Sequence, residues 1–283
     1  MITASWLGYL GQLGNQMYQY ASLLGIADKH GYEVVLPGDN REIKDVEQDY
    51  TGRKIRYGLY LLDCFDLSER ILTTAELNQS LQYRYHEEHH HFDENVLNVP
   101  DNTGIIGHLE TYRYFDHARK TVLEKLRFKK EIRTRAEERF KERQGKPVVS
   151  LHVRTHTRYD NEKFEHHHFL PVEYYQKALS FFPEQDYNIL VFTDNFPWVK
   201  ENIKGPNIFY NEWDTTVSRP DFVDLCMMTL CDHHIIANSS FSWWGAYLTN
   251  KKDQVVVAPS QWFGPKFAHL ITTDTVPPSW VKI

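Results

Sequence analysis

"HHIIANSSFSWWGAYL", residues 233–248, joins an apolar run to a cluster of small polar residues and then to two adjacent tryptophans. A short run without apolar/polar alternation reads as a strand buried on both faces, and the tryptophan-bearing stretch after it reads as a helix. Asn238, Ser239, Ser240 and Ser242 then lie where the strand ends and the helix begins. The first turn of a helix carries N–H groups without intrahelical partners, and small residues let a ligand approach them closely. Two readings are open for this turn: an anion site suited to phosphate, or an ordinary N-cap, for which Ser and Asn are preferred. Trp243 and Trp244 are expected to pack between helix and sheet rather than to form a sugar platform.

The same strand-then-helix logic extends outward in both directions. Strands are expected at "VVSLHV", "YNILVFTD" and "QVVVAP", and helices at "PVEYYQKALSFF", "FPWVKENI" and "DFVDLCMMTLC", which makes the second half a doubly wound α/β domain. The chain also opens as strand, helix, strand: Ser5–Leu10, then the turn "GQLGN", then apolar residues at helical spacing from Met17 through Tyr20, Leu23, Leu24 and Ala27 towards Gly31, then "YEVVLP". Residues 39–100 read as loop and helix elaboration, with "HEEHHH" at 86–91 and "HHH" at 166–168 taken as solvated loops. "TGIIGHLET" reads as a further buried strand, and the charged stretch ending at Gly145 as a long helix or helix pair. Pro147 after it marks the expected boundary between an N-terminal domain, 1–146, and a C-terminal domain, 147–283, with a ligand cleft between them.

Composition narrows the classes of function. With 283 residues, 41% hydrophobic and 25% charged, the chain has the make-up of a soluble globular protein. A net charge of −6 argues against a nucleic-acid or anionic-membrane footprint, so any anionic ligand must be held by local groups. Cys64, Cys226 and Cys231 are too few and scattered for a disulfide framework and are expected as buried thiols in a reducing compartment. No basic segment precedes an apolar one near Met1, and no run of eighteen apolar residues occurs, so neither a signal peptide nor a transmembrane segment is expected. The expected location is cytoplasmic, peripheral to a membrane where lipid-linked glycans are assembled.

Three further residue groups carry chemistry. His152 and Arg154 alternate out of the apolar run at 148–153 and would project together at the C-terminal edge of a sheet. A guanidinium fork suits a diphosphate, although a solvated loop pair is the plainer reading of His-x-Arg. Gly11 and Gly14 flank a strand-to-helix turn in which Asn15 and Gln16 open the helix, without the spacing of a dinucleotide fingerprint or a Walker lysine. His152 and Asp194 both have the chemistry of a general base or could serve structurally instead, Asp194, which follows a strand, as an N-cap. No two aspartates are separated by a single residue, the arrangement commonly used to hold a divalent metal on a nucleotide-sugar diphosphate. No metal is therefore expected, and Arg154 with the Ser-rich helix start would carry the diphosphate's charge.

With "GQLGNQMYQYA", "HVR" at 152–154, "VFTDNFPWVKENI" and "DLCMMTLCDHHIIANSSFSWWGAYL" in place, the chain resembles the α1,2-fucosyltransferases of glycosyltransferase family 11 over nearly its full length. The resemblance implies a GT-B-like pair of Rossmann-type domains and metal-independent, inverting transfer from GDP-β-L-fucose to a galactose-terminated glycan. The C-terminal domain would bind the donor and the N-terminal domain the acceptor. It further implies that Arg154 grips the diphosphate with His152 two places before it, and that Ser240, Phe241 and Ser242 form the phosphate-binding turn. Asp224, heading a helix, would read guanine, while Asn15 and Gln16 would lie in the loop that closes on fucose and diphosphate. The family pattern H-x-R-R-x-D departs here to Thr155 and Thr157, with Arg158 and Asp160 as substitutes after an insertion. Tyr18 replaces the usual Phe. Rival readings are another linkage or acceptor, or an inactive nucleotide-sugar-binding module.

Overall fold

A computed structural model describes residues 1–38, 44–48, 54–141, 145–155, 168–212 and 214–283. Arg158 and Asp160 lie outside the described residues. The chain forms two α/β units: Met1–Lys129 with Leu270–Pro277, and Lys130–His269 with Pro278–Ile283.

In the first unit, β1 (Ile2–Ala4), β2 (Val35–Pro37), β3 (Lys44–Gln48), β4 (Lys54–Tyr57), β5 (Arg70–Leu72), β6 (Tyr83–His86) and β7 (Thr103–Ile106) alternate with helices. Those helices are α1 (Leu13–His30), α2 (Leu61–Cys64), α3 (Thr74–Ser80), α4 (Glu94–Leu97) and α5 (Arg119–Lys125). The main sheet has the parallel order β1-β7-β6, β2 pairs with β5, and β3 and β4 form an antiparallel pair. The first strand is thus Ile2–Ala4 rather than Ser5–Leu10, because Gly8 and Gly11 both take positive φ and turn the chain where an extended run was expected. α1 ends as its sequence suggests, with Gly31 in the left-handed region and Lys29 and His30 in its last turn.

The second unit holds α6 (Lys130–Phe140), β8 (Val148–Val153), α7 (Val172–Leu179), β9 (Asn188–Thr193), α8 (Phe196–Asn202), β10 (Ile208–Tyr210), α9 (Pro220–Leu230), β11 (His233–Ile235), α10 (Ser240–Leu248), β12 (Val256–Ala258) and β13 (Val281–Lys282). Its six parallel strands run β10-β9-β8-β11-β12-β13, which in order of appearance is 3-2-1-4-5-6, the doubly wound order of Rossmann folds. The division between units falls at Lys129/Lys130 and not at Pro147, since α6 packs on α9 through Ile132 and Ala136 and its arginines bond to Asn211 and Asp214.

Trp243 and Trp244 are fully buried; Trp243 stacks on Tyr247 with ring centroids 4.8 Å apart and meets Trp280 at 5.4 Å. This aromatic packing beneath α10 fixes where its first turn lies. All three cysteines are free and buried. Among the described residues no helix is long and apolar enough to cross a membrane.

Candidate functional site

In a 3-2-1-4-5-6 sheet the strand order reverses between the first and fourth strands, here β8 and β11, and ligands bind beyond the carboxyl ends of the strands at that point. Arg154 and Thr155 leave β8, and Asn238 to Ser242 follow β11, so the two sequence signals of the second half emerge on either side of the switch point. They meet: the rings of His152 and Phe241 have centroids 5.9 Å apart.

Arg154 is held from the neighbouring strand. Its Nη1 lies 3.1 Å from Asp194 Oδ2, while Asp194 Oδ1 accepts from the Thr155 backbone N–H at 3.0 Å and from its hydroxyl at 3.3 Å. Parallel pairing of Val153 with Thr193 puts the residues after β8 and β9 side by side, which is why Asp194 reaches both. Asp194 is nearly buried and Arg154 about one-third exposed, so the carboxylate anchors a guanidinium that stays open to a ligand. Thr155, where the family pattern has Arg, has become part of this anchor. Asn195, the next residue, caps α8 by accepting from the Trp198 N–H. The cap read as an option for Asp194 belongs to its neighbour.

His152 is buried, and burial together with the Arg154 charge pushes its imidazole well below the ordinary value, so the ring is neutral around pH 7. Its weak basicity and Asp194's engagement with Arg154 suit both residues to supporting the guanidinium better than to taking a proton.

The helix start at residues 239–242 separates into parts. Ser239 is the N-cap residue of α10, yet its side chain makes no cap hydrogen bond, and Ser242 Oγ turns back to the Ser239 carbonyl at 3.4 Å. Ser239, Ser240 and Phe241 are half-buried. Asn238 differs from the expectation of a ligand contact: its Nδ2 donates to the His168 and Trp262 carbonyls at 2.7 and 2.8 Å, committing both amide protons to tying loops together.

Asp224 sits in the second turn of α9 rather than at its head, since the helix begins at Pro220. It accepts from Asn211 Nδ2 at 2.7 Å, and Asn211 Oδ1 in turn accepts from Arg139 Nη2 at 2.7 Å. Burial lifts the Asp224 carboxyl to about 7. Asn211 and Arg139 escaped the sequence reading because β10, the short strand that delivers Asn211, was not anticipated.

In the first unit, Gln16 is fully buried and its Nε2 donates to the Gly58 carbonyl at 2.9 Å, with a longer contact to Gly11 at 3.4 Å. It braces the turn instead of facing a ligand, as does Gln19 through the Leu10 carbonyl. Gly14 is buried within α1, and Asn15 is half-buried, bonding through Nδ2 to Glu110. "HEEHHH" does not behave as a solvated run: Glu87 accepts the Leu109 N–H at 3.0 Å, and His90 is turned inward to within 3.5 Å of Glu110. Tyr18 is buried against Phe115, a packing role that Phe would serve equally.

Parallel sheets, the strand order of the second unit and a guanidinium held at its switch point define a GT-B-like α/β protein. The chain belongs to glycosyl transferase family 11, whose profile matches residues 7–283. Among its relatives are two Escherichia coli proteins, the O-antigen biosynthesis glycosyltransferase WbnK, 32% identical over 48% of this chain and 44% of the relative, and an alpha-1,2-colitosyltransferase, 33% identical over 48% and 47%. The matched region thus spans under half the length of either. Galactoside alpha-(1,2)-fucosyltransferase 2 of Hylobates lar is 24% identical over 85% of this chain and 67% of its own. The fold is that of the fucosyltransferase NodZ from Bradyrhizobium, with a TM-score of 0.57 at 14% identity, covering 89% of this chain and 95% of NodZ.

Proposed function

We propose that the chain transfers L-fucose from GDP-β-L-fucose to a sugar hydroxyl, O2 of a terminal β-galactoside, with inversion and without a divalent metal. Membership of family 11 and relatives named as α-1,2-fucosyl and α-1,2-colitosyl transferases support this reading, as does the shared fold with a NodZ alpha-1,6-fucosyltransferase soaked with GDP-fucose. The observation that carries it is the Arg154–Asp194 pair at the switch point beside an N-terminal helix turn without a side-chain cap.

In the proposed reaction the acceptor oxygen attacks the anomeric carbon from the face opposite GDP while the bond from that carbon to the β-phosphate oxygen breaks. The transition state has oxocarbenium character, the electron pair leaves on the diphosphate, and the acceptor's proton passes to solvent or a base. Arg154 stabilises the growing phosphate charge, and because Asp194 already fixes the guanidinium, little reorganisation accompanies the step. The N–H groups near Ser240 add donors to the same charge. Asp224 accepts from the guanine base and Asn15 faces the sugar side. The second unit serves as the donor domain and the first as the acceptor domain.

The test is GDP release from GDP-fucose with and without lactose, followed by determination of the product linkage by NMR. A fucosyl-α1,2-galactoside product supports the reading. Transfer in another linkage leaves a fucosyltransferase of different acceptor geometry, and GDP-fucose binding without turnover makes the chain a binding module. The 33% identical colitosyltransferase favours a second donor, so a GDP-linked colitosyl donor belongs in the same assay.

A further inference from the structure

We propose that Glu110 is a positioning residue for the transfer reaction: it fixes the side-chain amide of Asn15 so that Oδ1 is offered to the reacting sugar. The inference rests on the glycosyl-transfer reading above, but it starts from a feature that reading leaves unexplained.

Glu110 follows β7 and is buried, yet no lysine or arginine contacts its carboxyl among the described residues. Around it stand His90, with Nε2 3.5 Å from Oε2, and His108, with Nδ1 3.8 Å from Oε1. Both contacts exceed hydrogen-bond length. Glu87 and Asp274 stand nearby: burial, with the Glu110 charge as a smaller cause, raises the Glu87 carboxyl to about 7, and Asp274 acts on His90. Burial holds both imidazoles below their ordinary value and the Glu110 carboxyl above its own. Enclosing a carboxyl among neutral rings and other carboxylates costs stability, and a group kept at such a cost is explained by what it holds.

What it holds is Asn15, whose Nδ2 donates to Oε1. The other side of Asn15 is confined as well. Its Cβ and Cγ lie 2.5 Å from where a Cβ on Gly11 would stand, and Gly11 has φ of +83°, so this side chain folds over a position that only glycine leaves open. The two ends of an amide are nearly identical in shape, and packing alone does not choose between them. An ionised carboxylate does choose, because it only accepts. With Nδ2 given to Glu110, Oδ1 is the part of the amide left to accept a hydroxyl. A protonated Glu110 could instead donate to Oδ1 and stabilise the flipped amide, which would present N–H groups to the sugar. The register of the β6–β7 pair, His86 against Ile106, delivers Glu87, His90, His108 and Glu110 to one place. Gly107 lets Glu87 cross there: a Cβ at that position would lie 2.5 Å from Glu87 Cβ.

The experiment compares wild type, Glu110→Gln and Glu110→Ala, measuring kcat and KM for GDP-fucose with lactose as acceptor from about pH 5 to about pH 9, with thermal midpoints at both ends. Glu110→Ala should lower kcat about tenfold or more with KM changed less than about threefold, the split expected when an orienting group is lost. Glu110→Gln removes the ionisation and, like the protonated carboxyl, both accepts and donates, so it no longer fixes the Asn15 amide. It should match wild type at the acid end, fall about tenfold below it in kcat at about pH 8, show no acid-side fall of its own, and melt at the same or a higher temperature at about pH 8. Should Glu110→Ala fail to fold, the Gln variant decides alone. Wild-type transfer with an unchanged acid limb in Glu110→Gln overturns this proposal and leaves the fucosyltransferase reading standing. No transfer by wild type overturns both.

Discussion

Arg154 and Asp194 come from adjacent parallel strands and meet at 3.1 Å at the carboxyl edge of the second unit's sheet. In the proposed mechanism the pair lets a chain with a net charge of −6 present a fixed positive group to a diphosphate. Arg154→Ala removes the proposed source of charge stabilisation and should lower the transfer rate a hundredfold or more, roughly 3 kcal/mol in the barrier. Far-ultraviolet circular dichroism should be unchanged, because the side chain is partly exposed and leaves no void. Near-normal turnover by this variant would remove Arg154 from the mechanism.

Asp194→Asn separates anchoring from proton transfer. Asparagine still accepts from the Thr155 N–H but no longer pairs with the guanidinium. A supporting role for Asp194 predicts a fall of about tenfold in kcat with no change in the shape of the pH profile. Loss of the acid-side limb from the profile would instead make Asp194 the base.

Asp224 links pH to both stability and binding. The native carboxyl keeps its proton up to about 7, whereas in the unfolded chain it ionises at its ordinary value of 3.8. Between those values the native state binds more protons than the unfolded state, so stability falls as pH rises through the window. Asp224→Asn retains the Asn211 contact and removes the ionisation. Urea midpoints should therefore match wild type at the acid end of the window and exceed it at about pH 8. The same variant should bind GDP about tenfold more weakly there, since an amide offers guanine one acceptor where a carboxylate offers two. Tight GDP binding by the variant would detach Asp224 from the base.

Trp243 tests how the anion turn is placed. It is fully buried against Trp244, Tyr247 and Trp280. Trp243→Ala should lower unfolding free energy by about 3–5 kcal/mol, read from urea titration, and weaken GDP binding because the first turn of α10 loses its support. A drop below about 1 kcal/mol would show that the aromatic packing is not what fixes the helix.

Apart from the short β10 and β13, the second unit was legible because most of its elements are contiguous apolar runs closed by turn residues, as in "VVSLHV" or "HHIIAN". The first unit was less so. β1 and β5 are three residues long, too short for periodicity to declare them, and the hydrophobic appearance of Ser5–Leu10 includes Trp6 and Tyr9, which are exposed on a glycine turn. The site divides in the same way. Arg154 and the serine turn were marked by local pattern, whereas the partners that set their chemistry come from neighbouring strands. Asp194 becomes an anchor only through strand pairing, and Gln16 and Asn238 become braces only because carbonyls distant in sequence reach them. "HEEHHH" had the composition of a solvated loop, and nothing within it announces that His90 turns inward toward a carboxylate twenty residues on.

Metal dependence follows from which groups are available to hold the leaving diphosphate. The chain has no pair of aspartates separated by one residue, and among the described residues no group of three or more His, Cys, Asp or Glu side chains is placed to hold an ion. Under the proposed mechanism the cationic contribution comes from Arg154, with the N–H groups of the first turn of α10 beside it. Turnover of GDP-fucose should accordingly stay within about twofold when EDTA is added, and Mg²⁺ or Mn²⁺ should not rescue Arg154→Ala. Activity lost to EDTA and restored by either ion would transfer that charge to a metal and leave Arg154 a secondary contact.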